Sequence, residues 1–256
     1  MAEEIYELFK RALSTDYEDD TAWEAIHALR RIGTREVFEQ AKELCRSSRP
    51  LNRARGVDVI AQLGKTVDHA HNSFPEESYS FIASFVQHET DPRPLASAVA
   101  ALGHLENPLA IPLITNFSSH PDTEVRFDVA FALGCFPNDP ISVRTLLVLM
   151  QDGDEDVRDW ATFGLGVLGN ASSEKICEAL LKGLRDSSED VREEAMVGLS
   201  KRRDQRVLPS LLTALANPTI SDRIIEAAYL MLGMESKREG WTGVDYASAL
   251  TKQVPR

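Results

Sequence analysis

An apolar residue followed by glycine, or once by serine, recurs along the chain at Ile32-Gly33, Leu63-Gly64, Leu102-Gly103, Leu133-Gly134, Leu165-Gly166, Leu199-Ser200 and Leu232-Gly233. The successive spacings are 31, 39, 31, 32, 34 and 33 residues, the period of stacked helical hairpins. Eleven residues before each anchor stands Thr21, Asn52, Asp91, Asp122, Asp154, Ser188 or Ser221. Each has a side-chain oxygen able to accept a bond from an unpaired helix N–H. Four residues before the anchor stand Ala28, Val59, Ala98, Val129, Ala161, Ala195 and Ala228, small enough to let helices approach closely. The glycine suits a left-handed helix C-terminus. Each period therefore predicts a short helix between cap and glycine.

A second apolar helical segment precedes each cap, over residues 5–13, 37–45, 79–86, 109–117, 143–150, 176–184 and 207–215. Alternating strand patterns between hairpin turns are nearly absent. The pattern predicts an all-α protein, an α-solenoid of about seven antiparallel helix pairs over residues 1–233. Residues 234–256 read as a C-terminal capping segment of the same domain, with Val244, Ala247 and Leu250 covering the open end. The longest gap holds residues 66–78, a polar stretch that reads as an exposed loop.

Composition narrows the classes. With 43% apolar residues the core is ample, and no apolar run approaches the roughly 18 residues of a membrane span. Forty acidic against 28 basic residues give a net charge of −12, which counts against nucleic acid as a partner. Glu3, Glu4 and Glu7 stand where a secretory signal carries basic residues, and the three scattered cysteines, Cys45, Cys135 and Cys177, suit a reducing compartment. The expectation is a cytoplasmic protein.

The Asp-x-x-Val-Arg pattern of Asp122, Val125 and Arg126, the Val157-Arg158 and Val191-Arg192 pairs, and the Ala and Leu-Gly that follow resemble HEAT repeats. The short period makes the chain most similar to the bacterial type seen in phycobilisome lyases. The resemblance runs from about Thr21 to Gly233 and is strongest between Asp91 and Ser200. It implies that the second helix of each pair lines a concave face, onto which the residues nine and five places before each anchor project. These are Trp23 and His27, Ala54 and Asp58, Arg93 and Ser97, Glu124 and Asp128, Asp156 and Trp160, Asp190 and Glu194, and Arg223 and Ala227. Glu124, Asp128, Asp156, Asp190 and Glu194, with Asp159 and Glu193 beside them, form an acidic band that favours a basic partner. The same band also fits an ordinary solvated face. Trp160 reads either as an aromatic anchor for a partner or as a residue packed against Phe131 or Phe163. Arg126, Arg158 and Arg192 lie beside Asp122, Asp154 and Asp190, and the resemblance implies a structural ladder of ion pairs between repeats.

Enzymatic alternatives need residues that the pattern lacks. HEAT-type deoxyhypusine hydroxylases hold two irons with His-Glu dyads, whereas the equivalent pairs here are Phe127-Asp128, Asp159-Trp160 and Glu193-Glu194. HEAT-like DNA glycosylases grip the duplex with a basic concave surface, the opposite sign. His69, His71 and Asp68 on the loop are a weak metal signal, and no zinc-type cysteine spacing or phosphate-binding glycine loop occurs. No cofactor or metal is expected. The reading is a noncatalytic scaffold or adaptor whose acidic concave face binds a basic protein, a specific form being an inhibitor of a cationic enzyme. The alternative is a bilin lyase or chromophore-attachment chaperone of the phycobilisome-lyase type.

Overall fold

The computed structural model describes residues 2–13 and 16–253, so Met1, Ser14, Thr15 and the last three residues of the capping segment lie outside it. Among the described residues there are fifteen α-helices and no strand. They fall into two compact units, Met1–Phe136 and Pro137–Arg256.

The first unit holds four hairpins: α1 (Ala2–Ala12) with α2 (Asp20–Ile32), α3 (Arg35–Leu44) with α4 (Pro50–Ala61), α5 (Pro75–Val86) with α6 (Pro92–His104), and α7 (Ile111–Thr115) with α8 (Thr123–Gly134). A 3₁₀ turn, Pro108–Ala110, leads into α7. The second helices α2, α4, α6 and α8 pack on one another in order. The second unit repeats the plan with α9 (Pro140–Leu149) and α10 (Glu155–Phe163), α11 (Glu174–Gly183) and α12 (Glu189–Lys201), and α13 (Leu208–Leu215) and α14 (Asp222–Met231). There α12 lies against both α10 and α14. Each unit is thus a stack of α-hairpins, as the periodicity predicts.

Six of the seven small residues do what their positions suggest: Val59, Ala98, Val129, Ala161, Ala195 and Ala228 are wholly buried, while Ala28 is only half-buried. Helix starts differ in part. Asp122, Asp154 and Ser221 accept N–H bonds at their helix starts as predicted. In α2 the cap is Asp19 rather than Thr21, and α4 begins at Pro50, before Asn52. Asp91 and Ser188 occupy the cap position without making the bond, Asp91 instead holding Arg53.

The glycines also divide. Gly33 ends α2 at φ 61, the left-handed cap predicted. Gly103 lies inside α6, where a Cβ would come 2.7 Å from Ala132 Cα of α8. There the missing side chain permits close helix approach, and the helix ends one residue later at His104 without a left-handed glycine cap.

At the end of α10 the chain widens into a π turn, Gly164–Leu168. The Arg202 guanidinium donates to the carbonyls of Leu165, Gly166 and Ala171 at 2.7–3.0 Å, and Lys201 Nζ reaches Val167 O at 2.6 Å. Carbonyls that leave the regular ladder thereby keep donors.

The last helix, α15 (Gly243–Gln253), packs against α13 and α14. Leu250 is buried as predicted, but the second anchor is Tyr246, while Val244 is exposed. The segment at 66–78 is shorter as a loop than expected, because α5 begins at Pro75. Its tail is pinned by buried Asn72, which donates to Ile60 O at 2.7 Å and accepts from Phe74 N at 2.9 Å. Among the described residues no helix is long and apolar enough to cross a membrane.

Candidate functional site

The two rows expected on the open face are not equally open. Nine residues before the anchor, Glu124, Asp156 and Asp190 are exposed and Ala54 is buried; five before it, Asp58, Ser97, Glu194 and Ala227 are buried, Asp128 and Trp160 half-buried and His27 exposed. Close contact between neighbouring second helices, as between α6 and α8 at Gly103, covers much of the second row. Burial then acts on its acids, because losing water penalises the charged form.

In the first unit this row is built into a polar cluster. Tyr17, from the turn before α2, donates its hydroxyl to Asp58 Oδ2 at 3.1 Å and lies 3.2 Å from Ser97 Oγ. The guanidinium carbons of Arg55 and Arg93 lie 4.6 and 4.3 Å from the centre of the Tyr17 ring. Arg55, wholly buried, donates to Tyr17 O at 2.7 Å, and Arg30 donates to Asp58 O at 2.9 Å. Burial pushes the Asp58 carboxyl up to about 6, opposed by Arg30 and Arg55. Asp128 is held well above the usual carboxylate range by burial and by the charges of Asp58 and Glu124. Glu124 pairs with Arg93 at 2.5 Å. In this cluster Glu124 is paired with Arg93, and Asp58 is met by the Tyr17 hydroxyl with Arg30 and Arg55 nearby.

The second unit differs. Asp156 and Asp190 are exposed on the first turns of α10 and α12. Glu193 accepts from Ser221 Oγ at 2.7 Å. Buried Glu194 takes Arg223 Nε at 3.0 Å on Oε1, while its Oε2 has no partner. Asp159 Oδ1 is likewise buried without one. Burial, partly offset by Arg223, pushes Glu194 up to about 7; burial with the charges of Asp190 and Asp156 pushes Asp159 up to about 6. Trp160 is half-buried with its ring edge-on to Phe163, 5.6 Å between centroids, the packing alternative weighed from sequence.

The cations of α10, α12 and α14 are Arg158, Arg192, Lys201 and Arg223. Arg158 forms a two-pronged pair with Asp186 at 2.8 Å and also donates to Asp152 O, and Arg192 donates to the carbonyls of Asp186 and Ser187. These arginines brace turns, and the acid that answers Arg158 is Asp186 of the next repeat's turn. Asp154, beside it in sequence, and Asp122, beside Arg126, spend their carboxylates on helix N–H groups. Arg126 likewise donates to His120 O at 2.9 Å. A cleft of about 450 Å³ lined by Glu189, Arg192, Glu193, Met196, Ile220 and Ile224 opens between α12, α13 and α14. Among the described residues no group of three or more His, Cys, Asp or Glu side chains is placed to hold a metal ion.

Sequence reasoning missed Tyr17, Arg55 and Asp186. Tyr17 and Asp186 fall in turns, outside the helical register, and Arg55 sits one position after an expected open-face residue.

Stacked hairpins with a glycine-permitted inner contact define a helical-repeat protein. The family model for HEAT repeats matches residues 80–166 and 143–233, and this chain belongs to that family. It is 30% identical over 229 residues to Protein YibA of Escherichia coli (strain K12), covering 87% of this chain and 78% of the relative. The X-ray structure of the Escherichia coli YibA protein superposes with a TM-score of 0.73 at 24% identity, covering 96% of this chain and 91% of that one. A crystal structure of Kap121p matches with a TM-score of 0.68 at 14% identity, over 90% of this chain and 28% of Kap121p, a likeness of fold.

Proposed function

We propose that this protein is a noncatalytic interaction scaffold whose second unit holds a basic segment of another protein on the inner helices α10, α12 and α14. HEAT-repeat membership supports the general role, since such stacks present a long side-chain surface on rigid helices. The observation that carries the specific reading is the charge arrangement. Asp156 and Asp190 are exposed, while Arg158, Arg192 and Lys201 are tied to turn carbonyls or to Asp186. The cleft between α12, α13 and α14 combines the apolar Met196, Ile220 and Ile224 with the acids Glu189 and Glu193, and its cation, Arg192, is held by the carbonyls of Asp186 and Ser187. That combination suits a cationic segment with interspersed apolar side chains. Occupying the basic surface of a cationic enzyme would make the scaffold an inhibitor.

The test is affinity capture from the native host with wild type and the Asp156→Lys/Asp190→Lys double variant, with captured proteins identified by mass spectrometry. A basic protein held by wild type at low salt, and lost both in the variant and at high salt, is expected. Capture that is indifferent to the variant and to salt overturns the reading.

A further inference from the structure

The acidic face of the second unit already contains an arginine, and its surroundings indicate the side chain that the face selects. Arg223, at the start of α14, reaches past α12 until its guanidinium carbon lies 5.2 Å from the centre of the Phe163 ring of α10. On the way its Nε meets Glu194 Oε1 at 3.0 Å and its Nη1 meets Glu226 Oε2 at 2.9 Å. A planar fork answered by carboxylates and laid near an aromatic ring is the environment that suits guanidinium over ammonium. The cradle is not filled. Glu194 is 7% exposed yet its Oε2 has no partner, and Asp159 Oδ1 is also buried without one. A buried carboxyl oxygen left without a donor is costly, so these two atoms are acceptors that Arg223 leaves unused and that a second guanidinium could fill.

We propose that Asp159, Glu194, Glu226 and Phe163 form an arginine-binding site, that Arg223 is its internal occupant, and that an arginine of the partner enters by displacing Arg223. This rests on the acidic-face reading above and adds the identity of the recognised side chain. Arg223 suits the displaced role because about a third of its side chain remains exposed while Glu194 beneath it is covered. The exposed Asp156 and Asp190 would attract the incoming segment, and the covered pair would select arginine within it.

The test uses fluorescein-labelled octa-arginine and octa-lysine peptides in equilibrium anisotropy titrations at low salt. The proteins are wild type, Arg223→Gln, Arg223→Lys, Glu194→Gln, Asp156→Lys/Asp190→Lys and the control Arg206→Gln. Arg206 pairs with Asp204 and Glu174 in the turn region before α13, so its substitution changes net charge equally without opening the cradle. Arg223→Gln is expected to tighten octa-arginine binding about tenfold beyond the Arg206→Gln control, the equivalent of one added charged contact. Octa-lysine should gain no more than the control does. Arg223→Lys should fall between wild type and Arg223→Gln, and Glu194→Gln should weaken octa-arginine binding several-fold. Melting curves confirm that each variant is folded, and the lysine variant keeps the test valid if the glutamine variant is not. Equal gains for both peptides, or no gain beyond the control, overturn the arginine site. If in that case Asp156→Lys/Asp190→Lys still abolishes binding, the acidic-face reading stands alone. Absence of binding by either peptide to any of the proteins overturns both.

Discussion

Replacing Tyr17 by Phe isolates one hydroxyl at the centre of the first unit's polar cluster. The ring stays, and with it the contacts to Arg55 and Arg93; what goes is the hydroxyl that donates to Asp58 Oδ2 at 3.1 Å and lies 3.2 Å from Ser97 Oγ. A hydrogen bond to a charged acceptor contributes about 1.5–3 kcal/mol, and a neutral pair about 0.5–1.5 kcal/mol. Which figure applies depends on pH. The Asp58 pKa in the folded protein, about 6, lies above the ordinary 3.8, so its contribution is fully favourable at low pH and is lost as pH rises through 6. Without Tyr17 the charged form loses a donor, so the folded pKa moves higher still and the penalty falls on the alkaline side. At roughly 3 °C per kcal/mol for a unit of this size, Tyr17→Phe should lower the melting transition by about 5–9 °C at pH 8 and by less than half of that at pH 5. Thermal unfolding followed by circular dichroism at both pH values, with exposed Tyr6→Phe as control, measures this directly. Equal losses at the two pH values would mean that this bond does not follow the ionisation of Asp58, and a loss at pH 8 no greater than the control would mean that the hydroxyl adds no stability.

Three further outcomes are expected. Gly103→Ala places a Cβ 2.7 Å from Ala132 Cα and should cost about 1–3 kcal/mol in urea unfolding, whereas Gly153→Ala, with open space around it, should cost little. Arg202→Gln removes the donor from the carbonyls of Leu165, Gly166 and Ala171 and should destabilise the second unit by about 3 kcal/mol, read as earlier hydrogen exchange in residues 164–171. Glu194, raised from 4.5 to about 7, contributes favourably below its ordinary value and loses that contribution as pH rises through 7; its linkage amounts to at most about 3 kcal/mol. Glu194→Gln should therefore flatten the dependence of the urea midpoint between pH 5 and pH 8.5, and an unchanged slope would show that this carboxyl does not titrate in that range.

Much of the fold was legible because a repeat states the same physics seven times. The spacing of Leu-Gly pairs located the hairpins, and Val59, Ala98 and Val129 marked the buried faces of their second helices. A single repeat position was less informative about local chemistry. Gly33 caps a helix and Gly103 allows a close approach, yet both occupy the same register, so only the neighbouring helix separates the two roles. The same close packing hid Asp58 and Glu194, which helical geometry alone places on the open face. Tyr17 reaches Ser97 across 80 residues of chain, a contact for which no local pattern exists. The Asp-x-x-Val-Arg residues carry helix caps and turn braces, work that any member of the family needs; they therefore reach the family and stop short of the phycobilisome-lyase subtype.

The recognition surface proposed for the second unit lies on α10, α12 and α14. Hydrogen–deuterium exchange with and without a basic protein obtained by the affinity capture proposed above is the decisive measurement. New protection confined to the first turns of α10, α12 and α14, with α9 and α11 unchanged, is the predicted footprint. Protection on the outer helices α9 and α11, with Asp156 and Asp190 segments unaffected, would contradict it.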